Sequence, residues 1–236
     1  MSIPDPALVL ITGASSGIGA ALARRLARPG RTLHLQGRDR TRLENLSREV
    51  ENRGGRAILH RFDLADHGAL EAEAARLATE LPRLDALMHS AGVIALGTVE
   101  DATVEHLDRQ YAVNLRAPFV LTTALTPALV AAEGQVVFVN SISGTRVNPG
   151  WSQYAATKFG LRALADGYRQ EIAGAGVRVT SVYPGRTATP MQATVHDHEG
   201  REYEPEAFAQ ADDVASSIEH ALEMPRSAIV PDITVR

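Results

Sequence analysis

Tyr154 and Lys158 stand four residues apart in a stretch whose pattern predicts a helix from about Ser152 to Ala173, so both side chains project from one face. A phenol is a poor acid or base at its ordinary pKa of about 10, and a neighbouring ammonium would draw that value towards working pH. A tyrosine so placed can exchange a proton with a substrate oxygen. Ser141 comes thirteen residues earlier, just beyond an apolar run read as a strand, at the sheet edge where open α/β folds bind ligands. Gly13, Gly17 and Gly19 form a second constellation between an apolar run and a helical pattern. Free backbone N–H groups and the positive end of the helix dipole would meet a pyrophosphate there, and missing side chains would let it approach. Each constellation alone has a bland reading, a surface Tyr–Lys pair or a structural turn; their occurrence together favours a site.

Those groups need a frame that brings them to one edge, and the chain alternates strand and helix patterns. Ala7 to Thr12 is a continuous apolar run, and Ile18, Leu22 and Leu26 mark a helix face after the glycine turn. Thr32 to Gln36, Arg56 to Phe62, Leu84 to His89, Gln135 to Val139 and Val177 to Tyr183 read as further strands. Ala228 to Val235 reads as a terminal strand that Pro231 consigns to an edge. Helical patterns cover Arg40 to Val50, a segment carrying Leu70 and Leu77, and a long stretch from about Val104 to Ala132 that Pro118 kinks or divides. Val214, Ile218 and Leu222 mark a last helix. Apolar strands separated by helices imply a doubly wound α/β fold, a parallel sheet of about seven strands covered on both faces. No linker sets off a second domain, so 1–236 is expected to be one unit. Gly185 to Asp213 lacks apolar periodicity, and 186–210 is expected to be a mobile lid over the site.

Thr12, Gly13, Ala14, Ser15, Ser16, Gly17, Ile18 and Gly19 resemble the nucleotide loop of the short-chain dehydrogenases/reductases, with Gly-x-x-x-Gly-x-Gly in place of the commoner Gly-x-Gly-x-x-Gly. Further motifs of that family follow in order. The resemblance implies that Asp63 and Leu64 hold the adenine ring and that Ala91 and Gly92 line the cofactor. It makes Asn114 the helix asparagine holding a water between Lys158 and solvent, Ser141 the catalytic serine, and Tyr154 and Lys158 the Tyr-x-x-x-Lys pair. Pro184, Gly185, Thr187 and Thr189 match the nicotinamide-side loop. The implied chemistry is hydride transfer between a nicotinamide and a substrate carbon. Tyr154 exchanges the oxygen's proton, Ser141 bonds that oxygen, and Lys158 tunes Tyr154 and grips the ribose. The family's Asn-Asn-Ala-Gly reads here His89, Ser90, Ala91 and Gly92, and His89 is expected to be a packed residue. The fold also hosts non-catalytic dinucleotide-binding regulators and enzymes of epimerisation or elimination, which remain alternatives.

A carboxylate at the end of the second strand would bond the adenosine ribose, whereas an arginine would accept a 2′-phosphate. Gly37 stands where the acid would be and Arg38 follows, so NADP(H) is the expected cofactor, with Asp39 starting the next helix. Val93, Ile94, Trp151 and Met191 suggest a mainly apolar substrate pocket; Arg146 and Arg186 meet an anionic group or face water.

The 236 residues, 44% hydrophobic and 22% charged, can bury a sizeable core and carry no excess of charge to keep them unfolded. A net charge of −4 argues against a nucleic-acid partner, and the absence of cysteine removes disulfides, thiolate nucleophiles and thiolate zinc sites. His196 and His198 lie in a helix-poor stretch without a third ligand at diagnostic spacing, so no metal is expected. Met1 to Pro6 lacks a cationic segment ahead of an apolar one and no run approaches a spanning helix, which points to a cytoplasmic chain without membrane contact. Arg24, Arg25 and Arg28 read as the solvated end of the first helix. The expected partners are a small carbonyl or alcohol substrate and, by family habit, copies of the same chain in a dimer or tetramer.

Overall fold

The computed structural model describes residues 3–236. The first half runs β1 (Ala7–Thr12), α1 (Gly17–Leu26), β2 (Arg31–Gly37), α2 (Arg40–Asn52), β3 (Arg56–Arg61), α3 (His67–Glu80) and β4 (Ala86–His89). Then come α4 (Val104–Tyr111), α5 (Ala117–Ala132), β5 (Gln135–Val139), α6 (Ser152–Ile172) and β6 (Arg178–Pro184). The chain closes with β7 (Thr187–Ala188), α7 (Pro190–Glu199), β8 (Ala209–Gln210), α8 (Ala211–Glu223) and β9 (Asp232–Val235).

Seven strands form one parallel sheet in the order β3-β2-β1-β4-β5-β6-β9, and β7 pairs with β8 in a separate two-stranded ribbon. Side chains alternate across each strand, so Val9 and Ile11 enter one core and Leu10 the other. Leu22, Leu26, Leu43, Leu46, Ile218 and Leu222 of α1, α2 and α8 close the first core. Leu70, Leu77, Leu121, Leu125 and Leu161 of α3, α5 and α6 close the second. Strand order reverses between β1 and β4, so the chain leaves those two strands towards opposite faces of the sheet and a crevice opens at its carboxyl edge.

Three expectations need correcting. The continuous helical run 104–132 is, by length and composition, long and apolar enough to cross a membrane. Its apolarity has two sources: Val113, Ala117, Leu121, Leu125 and Leu129 cover the sheet, while Phe119 and Val130 face outward. Its irregularity is a π-helical turn at Ala112–Arg116, and Pro118 follows directly inside the continuous run, where its ring nitrogen has no N–H to give the preceding turn.

The stretch read as a helix-poor loop contains α7. Its inward residues are Gln192, Val195 and His196, two of them polar, so hydrophobic periodicity does not reveal it. The Gln192 side chain meets His196 Nδ1 at 3.0 Å, and the His196 ring packs against Tyr203 and Phe208, each at 5.2 Å between centroids. Its terminal signals were legible: Thr189 accepts from Gln192 N–H, Pro190 opens the helix, and Gly200 ends it at φ +63°.

Arg24, Arg25 and Arg28 are not a free solvated face. Arg24 pairs with Glu49 of α2 at 2.5 Å, Arg25 with Asp212 and Glu219 of α8 at 2.6 and 3.0 Å, and Arg28 with Glu223 at 3.0 Å. They lash α1 to its neighbours.

Candidate active site

The glycine turn after β1 is shaped by packing within the protein. Gly13 adopts φ +66°, and a Cβ there would lie 2.7 Å from Ala91 Cα; one at Gly19 would lie 2.5 Å from the Gly13 carbonyl oxygen. Gly17, at φ +53°, backs onto the Thr189 methyl. Within the protein, Gly13 thus makes room for the loop after β4, Gly19 for the turn itself and Gly17 for Thr189. Gln36 braces the turn by accepting from Gly13 N–H at 3.1 Å and donating to Phe62 O at 2.9 Å.

The end of α1 is nonetheless open to a ligand. Asp39, Asp66, Thr103 and Thr189 cap α2, α3, α4 and α7 with side-chain oxygens, whereas Ser16 makes no such bond at α1. Ser15, Ser16, Gly17 and Ile18 face the crevice there. Uncapped N–H groups at the positive end of a helix suit the donor set a pyrophosphate needs.

At the other end of the crevice, Ser141 follows β5, while Tyr154 and Lys158 lie one turn apart on α6, 5% and 3% exposed. Asn140, which the sequence reading missed, ties them together: its Oδ1 accepts from Ser141 N–H at 2.9 Å and its Nδ2 donates to the Lys158 carbonyl at 3.0 Å. Lys158 Nζ donates to the Val139 carbonyl at 3.1 Å and sits 5.8 Å from the centre of the Tyr154 ring. The expected fall in the phenol's pKa is not what the protein alone produces. Burial pushes Tyr154 up to about 12, against a smaller opposing effect of its hydrogen bond to Ser141, and pulls Lys158 down to about 8. Desolvation outweighs an ammonium held by a carbonyl.

Asn114 lies in the π-helical turn behind the crevice, fully buried. It accepts from Val93 N–H and donates to Val93 O, both at 2.9 Å, and to Thr157 Oγ1 at 3.1 Å. Both amide protons are thus used within the protein, bracing the loop after β4, and Oδ1 keeps a second lone pair that a water could use. His89 is packed as expected, its Nε2 2.9 Å from Thr122 Oγ1 and its ring stacked on Phe138 at 4.9 Å.

Arg38, at the end of β2, lies 3.6 Å from Asp63, whose carboxylate also meets Arg109 of α4 at 3.1 Å. Asp63 is thus an ion-pair centre, held below its ordinary pKa by the Ala65 N–H, Arg109 and Arg38 against the opposing cost of burial.

One cleft of about 790 Å³ joins these parts. Of the expected residues, Gly13, Ser15, Ser16, Gly17, Ile18, Arg38, Asp63, Leu64, Ala91 and Gly92 line it, with Ser141, Tyr154, Lys158, Pro184, Gly185, Thr187 and Thr189. Gly19 and Asn114 stand behind the wall. Asn148, Gln192, Phe208 and Arg236 also line the cleft and went unread, because folding alone carries them there.

A family model described as short chain dehydrogenase matches residues 7–200. Glycine betaine reductase of Emericella nidulans is 33% identical over 233 residues, 97% of this chain but 18% of that protein, so the chain spans less than a fifth of that relative. Cyclopentanol dehydrogenase of Comamonas testosteroni is 32% identical over 191 residues, covering 80% of this chain and 76% of the relative. A short chain dehydrogenase from Burkholderia cenocepacia, solved in complex with NADP, superposes with a TM-score of 0.85 at 31% identity, covering 98% of this chain and 96% of that one. With the sheet order, the cleft and these matches in agreement, the chain belongs to the short-chain dehydrogenase/reductase family of oxidoreductases.

Proposed function

We propose that the protein interconverts a carbonyl compound and an alcohol with NADP(H), running as a reductase in cells, and that Tyr154 exchanges the proton of the substrate oxygen. The observation that carries this reading is the meeting, in one cleft, of an uncapped helix end, an arginine beyond β2 and the Ser141–Tyr154–Lys158 group. Bound there, NADP(H) would supply the hydride and, when oxidised, a positive ring beside the phenol.

The residues suit the reducing direction. A phenol that burial keeps protonated can give its proton to a carbonyl oxygen. Ser141 holds that oxygen, and Lys158 anchors the ribose end. Ser15, Ser16, Gly17 and Ile18 receive the pyrophosphate, and Arg38 takes a 2′-phosphate, since Gly37 puts no carboxylate at the end of β2 and Asp63, 3.6 Å from Arg38, is shared with Arg109. The NADP held by the Burkholderia cenocepacia structure agrees with that choice. Residues 1–236 act as one dinucleotide-binding domain whose segment 186–210 covers the substrate end. Exposed Tyr111 and Phe119, on the helices around Asn114, and Phe159 on α6 suit a homo-oligomer.

Following NADPH oxidation with a panel of aldehydes and ketones tests the reading. Turnover with at least one carbonyl class is expected; cofactor binding without any turnover would make the protein a dinucleotide-binding regulator instead.

A further inference from the structure

Lysine occurs once in the whole sequence, at position 158; all other side chains of fixed positive charge are arginine. An arginine stays protonated and is no nucleophile, whereas a lysine that loses its proton is a primary amine. The one side-chain amine of this protein therefore stands in the cleft assigned above to carbonyl compounds.

Its surroundings leave it available. Among the described residues no carboxylate lies within ion-pairing distance of Nζ, and its one protein acceptor is the Val139 carbonyl at 3.1 Å. Opposite it is Gly92, where a Cβ would stand 3.9 Å from Nζ and 3.5 Å from Met191 Cε, so a side chain is missing just where the amine tip reaches the cleft. Tyr154, on the same helix, is the titratable group beside it. Burial lowers the ammonium's pKa to about 8, which raises the fraction carrying a free lone pair at pH 7 by roughly two orders of magnitude over an exposed lysine.

We infer that Lys158 is a carbonyl-reactive amine, and that in the protein without cofactor it captures small aldehydes from the cleft as an imine. The lone pair of Nζ adds to the aldehyde carbon and the amine proton moves to the new oxygen. That oxygen then leaves as water while the C=N bond forms. One amine and one aldehyde give one imine and one water, with no oxidant or reductant. The capture is reversible. Resting on the cofactor reading above, it is suppressed when a ribose covers Nζ, so aldehyde would inhibit the protein most when NADP(H) is scarce.

The test treats the protein with propanal, traps imines with borohydride, and reads intact mass and peptide maps with and without saturating NADP⁺. The expected result is one adduct on Lys158 besides that on the α-amino group, with a labelling rate that rises through a midpoint near pH 8. NADP⁺ should slow labelling at Lys158 at least tenfold and leave the α-amino group unchanged. Lys158→Arg, checked for folding by circular dichroism, should lose the adduct. Labelling confined to the α-amino group, or a Lys158 midpoint near 10.5, overturns the inference. Labelling at Lys158 that NADP⁺ does not touch upholds the reactive amine and counts against the cofactor reading instead.

Discussion

The two ends of the cleft are built on opposite principles. At the Tyr154 end, Tyr154 and Lys158 are buried, amide hydrogen bonds of Asn140 and Asn114 tie their helix to the neighbouring segments, and neither makes an ion pair among the described residues. At the Arg38 end the groups are charged and wet: the Arg38, Asp63 and Arg109 side chains are 58%, 35% and 44% exposed and hold one another by salt bridges. Burial sets protonation at the first end, so a small change there is felt in full. Solvent screens the second, where recognition is a matter of charge that salt can weaken.

The comparison can be broken most directly at the buried end. Tyr154→Phe removes the phenol and leaves on the substrate oxygen only the Ser141 hydroxyl, a much weaker acid, so turnover should fall by about 10² to 10⁴. NADPH affinity, measured by calorimetry, should stay within about twofold; near-normal turnover would remove Tyr154 from the chemistry.

If burial governs protonation, the rule must also hold away from the cleft. His34 on β2 and His60 on β3 meet at 2.9 Å in a buried pair backed by Glu73 and Arg76. Burial pulls His34 down to about 4 and His60 also below its ordinary value, and buried His89 down to about 3. Their folded pKa values lie below the unfolded one near 6.5, so the unfolded chain takes up protons that the fold refuses. Stability is therefore unaffected above that pH and drains as pH falls from 6.5 towards 4, by roughly 3 kcal/mol for His34 alone. Urea denaturation at stepped pH measures this. A flat profile over that window would mean that solvent reaches these rings.

At the wet end the effect should be smaller and sensitive to salt. Arg38→Ala should weaken NADPH binding by about 1.5 kcal/mol and leave NADH nearly unchanged, with the difference shrinking at high ionic strength. Equal losses for both cofactors would take phosphate selection away from Arg38. The smallest effect is expected over 200–207, between α7 and the ribbon: amide exchange there should be faster than in β4 and slow by a fewfold with NADPH and substrate. Protection equal to the sheet's, with or without ligands, would mean a fixed wall.

How much was legible follows the same division. Strand and helix order could be read because apolar residues recur at local periods, as in Ile18, Leu22 and Leu26. The chemical groups were legible because a Tyr–Lys pair one turn apart shares a helix face wherever the helix is packed. Helix α7 escaped because His196 and Gln192 satisfy each other in its inward face, although Thr189, Pro190 and Gly200 marked its ends. Asn140 and Gln36 escaped because a single amide carries no pattern; their partners at Lys158 and Phe62 are neighbours only after folding.

Sequence by itself therefore determined the fold class, the spacing of Tyr154 and Lys158, and the missing carboxylate at Gly37, each a matter of residues close along the chain. Only the tertiary structure decided that Gly13 makes room for Ala91, that Asp63 is claimed by Arg38 and Arg109, and that burial drives the phenol and the ammonium in opposite directions. The reason is that close approach and desolvation depend on residues far apart in sequence, brought together when β1 and β4 lie side by side and α6 closes over the end of β5.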